Sequence, residues 1–417
     1  MDQTIDLVGA AGGRYVVGCS GRWETLATRQ HVLFVVHTMT GAARVQLVAE
    51  LLAGDPRIQV VFTAAPDDLG RGVETFLDHL GAVVLPWRDV VHRRFDLAVA
   101  VSYGELEKIR APVVVMPHGA GHHKLVPRQP GAGPAGRRGV YGYDREQLVR
   151  NGRVVAAALV LSHVEQRGYL AEGCPEAVPA AAVVGDPCHD QIADYRPERE
   201  AWRRRLGVED GQRLVVVSST WGRRSLWGQR PDAFARILAG LPEHRYRVAA
   251  VLHPNIVAFH GRFQVERMLA DCRERGLVVV DPVAGWQPAL AAADWVVGDH
   301  GSVTLYATLS GAPVLLAAYA EGDIDPRSPV ADLSAAAPRL DLDTDLATQL
   351  DAATAAYPAE RHTAVARRIT SEPGRFARNM RGLLYRSLGL DPPGRSGLDR
   401  LPWRPGSRGS VGESAPQ

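Results

Sequence analysis

Short apolar runs separated by amphipathic segments recur along most of the chain. In the first half, six runs have the length of buried strands: residues 32–36, 58–62, 82–85, 97–101, 113–116 and 157–161. Residues 42–52 and 73–80 have the spacing of helices between them. This alternation predicts a parallel sheet that is covered by helices on both faces.

The pattern breaks around residues 185–187 and resumes after a charged, helical segment at residues 195–205. A second series of strand-like runs follows at residues 214–217, 248–252, 277–280, 295–297 and 314–316, with helical segments that include residues 232–238 and 264–273. We therefore predict an α/β protein of two facing, doubly wound, Rossmann-like domains. Ligands of such sheets bind beyond the carboxyl ends of the strands, so the interdomain cleft is the expected site.

Near the C-terminus, apolar residues follow helical spacing while arginines occupy the other faces. The apolar positions are Phe376, Met380, Leu383, Leu384 and Leu388. This pattern favours a packed terminal helix over a membrane anchor. The Pro-, Gly-, Ser- and Arg-rich segment 391–417 predicts a disordered tail, and residues 131–138 predict a mobile loop.

Composition narrows the class of protein. The 417 residues are 46% hydrophobic and 23% charged, as in soluble globular proteins, and the net charge of +2 does not favour a nucleic-acid partner. The four cysteines are scattered without a C-x-x-C pair, which favours inert thiols in a reducing compartment. Neither a signal peptide nor a membrane-spanning run is evident, so we expect a cytoplasmic protein.

Residues 294–316 carry the most informative chemistry. A buried strand is followed by the turn Asp299-His300-Gly301, a helix that opens at Ser302, and another strand. Backbone N–H groups at such a turn point toward an anion, and Ser302 occupies the expected N-cap, with Val303 and Thr304 in the same turn. We interpret the segment as a phosphate cradle; an ordinary strand–helix–strand crossover is the alternative.

A histidine follows a strand at His118, ahead of glycines and Lys124. A neutral imidazole at this place is suited to take a proton from a hydroxyl, and Lys124 is suited to hold a phosphate. The alternatives are a structural loop histidine or a His-rich patch that binds metal weakly. Because no nearby carboxylate completes a metal set, we favour His118 as a general base.

Three further strand ends carry polar groups. His253 follows the run 248–252, and Thr220 and Arg223 follow the run 214–217. Such groups suit phosphate binding or proton transfer, although each is also common in solvated loops. Glu321 and Asp323 follow the last strand, where they either bind hydroxyls of ribose or a polyol or decorate the surface.

The order of these motifs resembles the CDP-glycerol glycerophosphotransferase family, whose members are GT-B enzymes. The resemblance covers roughly residues 110–325. The matching positions are His118, Gly119 and Lys124; Gly185, Pro187 and Asp190; Thr220, Trp221 and Arg223; His253 and Pro254; and Asp299, Ser302 and Val303.

The resemblance implies a GT-B architecture with residues 1–190 as the acceptor domain and residues 191–390 as the nucleotide-donor domain. It implies transfer of glycerophosphate, or a related polyol phosphate, from a CDP-activated donor to an acceptor hydroxyl, as in the biosynthesis of cell-envelope polymers. His118 and His253 would be the catalytic residues, and Ser302 and Arg223 would offset the charge of the diphosphate. No cofactor is implied, and a divalent metal is compatible with these residues but not required.

Other functions stay open at this point. A GT-B glycosyltransferase that uses a UDP- or GDP-sugar would have the same fold and phosphate turn. A UDP-sugar 2-epimerase would need carboxylates where histidines stand, and a third alternative is an inactive binding protein with the same fold. The acceptor is a glycan, a polyol phosphate or a small molecule, and peripheral contact with the inner face of the membrane is undecided.

Overall fold

The computed structural model describes residues 25–26, 28–120, 123–126, 138–281, 283 and 285–394. Two of the sequence predictions therefore lie partly outside the described residues: residues 131–137 of the predicted loop, and the predicted tail from residue 395 onward. The first 24 residues also lie outside them.

The apolar runs of the first half form the strands of a parallel sheet. The strands are β1 (Gln30–Val36), β2 (Ile58–Ala64), β3 (Leu97–Ala100), β4 (Val113–Val115), a small antiparallel pair β5 (Val149–Arg150) and β6 (Arg153–Val154), β7 (Ala158–Leu161) and β8 (Ala181–Val183). Within the described residues the sheet has the order β2-β1-β3-β4-β7-β8.

The second series forms a separate parallel sheet. Its strands are β9 (Arg213–Ser219), β10 (Tyr246–Leu252), β11 (Val278–Val280), β12 (Trp295–Gly298) and β13 (Val314–Leu316). In the part of the chain that is described, the order is β11-β10-β9-β12-β13. The strand order reverses between β9 and β12, and such a point opens a crevice at the carboxyl ends of the strands.

Helices cover both sheets. They are α1 (Met39–Glu50), α2 (Val73–Leu80), α3 (Trp87–Val90), α4 (Arg145–Leu148), α5 (Gln166–Gly173), α6 (Pro187–Tyr195), α7 (Arg199–Arg205), α8 (Leu226–Gln229), α9 (Ala233–Gly240), α10 (Pro254–His260), α11 (Arg262–Met268), α12 (Ala270–Glu274), α13 (Trp286–Ala292), α14 (Ser302–Tyr306), α15 (Pro329–Ala336), α16 (Leu346–Ala355), α17 (Ala359–Arg367) and α18 (Phe376–Ser387). Short 3₁₀ turns occur at Leu106–Lys108, Pro175–Ala180, Arg196–Glu198 and Ala307–Leu309.

Alternate residues of the central strands enter different cores. Val32 and Phe34 of β1 pack in the core on one face of the first sheet, whereas Leu33 and Val35 pack in the core on the other face. The second sheet is covered in the same way on both faces. Because neither face meets water, these strands are apolar throughout, and the predicted class of two Rossmann-like α/β domains is confirmed.

The structure differs from the predicted elements in several places, including the following. Residues 82–85, for which the sequence predicts a strand, form one isolated β-bridge between Val84 and Phe62, and Pro86 follows directly. Strand β8 has no counterpart among the predicted strands. The predicted helix 264–273 is interrupted at Leu269, which is buried and lies between α11 and α12.

The last helix, α18, returns to the first domain. Phe376, Met380 and Leu384 are fully buried in the core that also contains Val32 and Phe34. The apolar face of α18 is therefore used in packing within the protein. Among the described residues, no helix is both long and apolar enough to span a bilayer.

In the described part of the chain, the backbone thus crosses between the domains twice, and Asp190 joins the two crossings. Asp190 lies in α6, on the first crossing, and its carboxylate accepts hydrogen bonds from the backbone N–H groups of Gly374 (2.7 Å) and Phe376 (3.1 Å) on the second. Asn379 of α18 also donates to the carbonyl of Val184 at 3.1 Å. The two crossings lie side by side at the base of the cleft, and we call them together the hinge.

Candidate active site in the interdomain cleft

Residues from both domains line a cleft whose space, counted together with its part open to solvent, is about 840 Å³. The first domain contributes α1 and the segment after β4, and the second contributes the segments after β9, β10 and β12. Helix α6 forms part of the floor. Of the residues predicted to act in the site, the lining includes His118, Thr220, His253, Ser302 and Val303.

His118 stands just beyond β4 with its side chain exposed to the cavity. Among the described residues it has no hydrogen-bond partner, so its ring nitrogens are free for a ligand. Loss of water within the cleft, with the positive charges of Arg44 and Lys124, lowers the pKa of His118 to about 4. The ring is consequently neutral at physiological pH and able to accept a proton.

His253 is positioned differently, as the N-cap of α10. Its Nδ1 accepts a hydrogen bond from the backbone N–H of Asn255 at 3.1 Å, so the neutral ring carries its proton on Nε2. Burial, together with His118 and Lys124, lowers the pKa of His253 well below its usual value. His253 is therefore arranged as a hydrogen-bond donor. The side chain of Asn255 also accepts from Thr40 of the first domain at 3.0 Å.

Trp221 and Lys124 lie beside His253. The Trp221 and His253 rings are 6.1 Å apart, and Lys124 Nζ is 5.8 Å from the Trp221 ring centre. Burial lowers the pKa of Lys124, while the carboxylates of Asp299 and Asp323 oppose that shift. The first domain thus supplies a cation next to the second domain's histidine.

Ser302 meets the first domain at Gly119. A Cβ atom added to Gly119 would lie 3.0 Å from Ser302 Oγ, so a larger residue at position 119 would have to displace this contact. The prediction that Ser302 is the N-cap is wrong: Gly301, whose backbone is still extended, caps α14, and Ser302 is the first residue of the helix. Ser302 nevertheless brings a hydroxyl into the cavity directly opposite the His118 segment.

Asp299 and Thr304 lie beneath the cavity wall. Asp299 is 1% exposed, and its carboxylate accepts from the backbone N–H groups of Thr220 (2.9 Å), Leu226 (2.8 Å) and Gly301 (2.9 Å). Burial raises the pKa of Asp299 to about 6. Thr304 is fully buried against Gly298. Both residues shape the turns that present Thr220 and Ser302.

Arg223, Glu321 and Asp323 lie outside the cavity lining. Arg223 and Glu321 are exposed. Asp323 pairs with Arg224 and lies 3.7 Å from Arg138 Nη1. The structure therefore brings together the histidines, Thr220 and Ser302 but not these three side chains.

Asp323 belongs to a connection between the domains that we call the strap, formed by residues 123–126 and 322–325. The backbone N–H of Leu125 donates to the carbonyl of Asp323 at 2.8 Å, and that of Asp325 donates to the carbonyl of His123 at 2.9 Å. Lys124 and Ile324 form the antiparallel bridge between these bonds. The strap fixes Lys124 at the edge of the cleft.

Sequence reasoning missed a buried polar cluster at the floor of the cavity. Arg44 of α1 donates through Nη2 to Asp186 Oδ2 (3.3 Å), Cys188 Sγ (3.3 Å) and the Tyr306 hydroxyl (2.8 Å). Tyr306 in turn donates to Asp186 at 2.7 Å. Burial opposes the charge of Arg44, yet its polar neighbours together hold its pKa above the usual value. The cluster joins α1, the hinge helix α6 and α14.

Among the described residues, no group of three or more His, Cys, Asp or Glu side chains is placed so that it could hold a metal ion. The cysteines that the structure describes, Cys174, Cys188 and Cys272, are buried free thiols.

No protein-family profile matches the sequence, and no curated protein matches it. Solved structures do match its fold. The wall teichoic acid polymerase TagF aligns with a TM-score of 0.60 and 11% identity over 87% of this chain and 89% of that chain. A TagF variant soaked with CDPG aligns with a TM-score of 0.57 and 12% identity over the same shares of the two chains, 87% and 89%.

Anabaena HepE in complex with UDP-glucose also matches, with a TM-score of 0.49 and 14% identity over 86% of this chain and 99% of that chain. The TagF alignments, which cover most of both chains, extend over the two sheets. The chain therefore shares the two-domain GT-B fold of the wall teichoic acid polymerase TagF.

Proposed function

We propose that the protein is a GT-B transferase that moves a glycerophosphate, or a related polyol-phosphate group, from a CDP-activated donor to an acceptor hydroxyl. The contact between Gly119 and Ser302 is the observation that carries this proposal. It sets His118, which has no hydrogen-bond partner within the described ranges, against the hydroxyl-bearing turn of the other domain, which is where a donor and an acceptor have to meet.

The proposed step is a direct displacement at phosphorus. His118 takes the proton of the acceptor hydroxyl, and the oxygen forms a bond to the β-phosphorus of the donor. The bond between that phosphorus and the oxygen bridging to the α-phosphorus breaks, and CMP leaves with the bonding electrons. Catalysis of this kind depends on positioning and on preorganised charge.

The second domain supplies the donor side of this scheme. Thr220 and Ser302 offer hydroxyl groups, and His253 offers a neutral N–H, at the carboxyl ends of β9, β12 and β10. Lys124 supplies a positive charge at the edge of the cleft. These groups suit a diphosphate, and the shared fold of TagF and the motif order favour a CDP-linked donor over a UDP- or GDP-sugar.

The nucleotide is tested by thermal shift and product release. We expect CDP and CMP to raise the melting temperature more than UDP or GDP, and incubation with CDP-glycerol and an acceptor to release CMP. Release of UDP or GDP from the corresponding sugar nucleotide would instead identify a glycosyltransferase. Absence of stabilisation by every nucleotide, together with no product, would contradict both activities.

The role of His118 is tested by the variant His118→Ala. We expect turnover to fall by at least about 100-fold, the typical contribution of a general base, while nucleotide affinity stays unchanged. His244→Ala is the matched control, because His244 is exposed on a loop of the second domain. Normal turnover in His118→Ala would exclude the base assignment even if the transferase activity itself were present.

A further inference from the structure

The cavity has a second polar region at its floor, between α1, α6 and α13, which the proposed step does not use. We define the floor subsite as Arg44, Gln191 and Gln287, all of which line the cavity. Arg44 and Gln191 are linked through α6, because Cys188, which contacts Arg44, lies one helical turn before Gln191. Gln287 donates to Gln191 at 3.1 Å.

Arg44 is held by only part of its guanidinium group. Its contacts to Asp186, Cys188 and Tyr306 all come from Nη2. Within the residues that the structure describes, Nε and Nη1 have no partner, although the side chain is only 5% exposed. A guanidinium edge with two free N–H groups matches the paired oxygens of a phosphate or carboxylate.

The positive charge of Arg44 acts on groups that line the cavity. Arg44 and His118 line the same cavity, and the charge of Arg44 adds to burial in lowering the pKa of His118. The acidic partner of Arg44, Asp186, is completely buried, and no carboxylate lines the cavity in the described parts of the chain. Asp186 offsets part of the charge of Arg44, but an anion that enters the floor meets guanidinium N–H groups and, among the described residues, no carboxylate at the cavity wall.

Gln287 adds an unsatisfied hydrogen-bond acceptor. The side chain is 4% exposed, and its buried Oε1 has no hydrogen-bond partner among the residues that the structure describes. An orphaned buried amide oxygen is costly and indicates a missing donor. A ligand hydroxyl can supply that donor, and Met39, Leu47 and Trp286 provide apolar walls around it.

We propose that Arg44, Gln191 and Gln287 bind the acceptor through an anionic phosphate or carboxylate group that has a hydroxyl close by. This inference rests on the proposed function for its assignment to the acceptor. The donor groups lie at the carboxyl ends of β9, β10 and β12, whereas Arg44 belongs to the first domain and Gln191 to the hinge helix. Gln287, in α13 of the second domain, joins them through its hydrogen bond to Gln191. The acceptor class is therefore an anionic polyhydroxy compound.

The test is a calorimetric titration of the full chain, first saturated with the nucleotide that stabilises it best, with inorganic phosphate and with glycerol 3-phosphate. The main variant combines Arg44→Met with Asp186→Asn. Removing both charges together avoids a buried, unpaired carboxylate, and asparagine keeps an oxygen for the N-cap of α6, which now bonds His189 N–H at 2.9 Å.

We expect both ligands to bind the double variant at least about tenfold more weakly, since a charge-assisted pair is lost. Nucleotide affinity should not change. Tyr306→Phe is the control, because it removes one contact of Nη2 and leaves Nε and Nη1 free. Gln287→Leu should weaken the binding of glycerol 3-phosphate and leave the affinity for inorganic phosphate unchanged.

Equal phosphate affinity in the wild type and the double variant would overturn the proposal. Loss of nucleotide affinity in the double variant would overturn it as well, by assigning Arg44 to the donor. If no nucleotide binds the wild type, the proposed function fails, and the same phosphate titrations on the free chain still decide whether Arg44 forms an anion subsite.

Discussion

The ring of His118 faces two cations, Arg44 and Lys124, and both disfavour its protonated form. With a pKa of about 4 in the free protein, the ring is neutral throughout the physiological range. Bound anions reverse part of this effect, because they offset the two positive charges and favour the imidazolium. The same residue is thus a weaker base in the empty cleft than in the substrate complex.

This difference predicts the pH dependence of the reaction. A base whose pKa is lowered is active above that pKa, so kcat/KM should stay level from neutral pH down to about pH 5 and fall only near the pKa of about 4. The acid limb of kcat, which reports the substrate complex, should lie at higher pH. Steady-state rates between pH 4 and pH 9 provide the measurement, with unfolding monitored at each pH. An acid limb of kcat/KM at or above pH 6.5, the ordinary histidine value, would contradict it.

Helix α18 provides the prediction at the scale of an element. Leu384 is fully buried in the first-domain core, so Leu384→Ala should lower the free energy of unfolding by about 2–5 kcal/mol. Arg378→Ala, on the exposed face of the same helix, should change it by less than about 0.5 kcal/mol. Urea unfolding followed by circular dichroism measures both. Equal stability of the two variants would show that α18 is not part of that core.

Most elements could be predicted because their signals are local. Strands β1, β9 and β10 are buried on both faces, so their sequences are continuous apolar runs that stand out without any knowledge of the fold. Strand β8 does not stand out in this way, because it consists of Ala181–Val183, is only half-buried, and follows a 3₁₀ turn rather than a clear turn signal.

The floor of the cavity could not be predicted for the opposite reason. An arginine in an amphipathic helix normally lies in solvent, and nothing near Arg44 in the sequence identifies Asp186 or Tyr306 as its partners. Those partners are 142 and 262 positions away. His118 and His253 could be found from the sequence because each lies just beyond an apolar strand.

The hinge formed by the two crossings provides the prediction for the whole molecule. Asp190→Ala removes the acceptor for the N–H groups of Gly374 and Phe376. The substitution should cost about 1–3 kcal/mol for the buried N–H of Phe376, and less for that of the exposed Gly374. It should also uncouple the domains, so that calorimetry resolves two unfolding transitions where the wild type has one. Asp190→Asn, which retains one acceptor oxygen, is the control and should show a smaller effect. A single, unshifted transition in Asp190→Ala would contradict this role.

The strap also limits how a ligand can enter the cleft. It joins the domains through the bridge between Lys124 and Ile324, so the edge of the cleft beside Lys124 is spanned by backbone. A ligand cannot pass across that edge while the bridge is intact, so it has to enter the cleft from a side that the strap does not close.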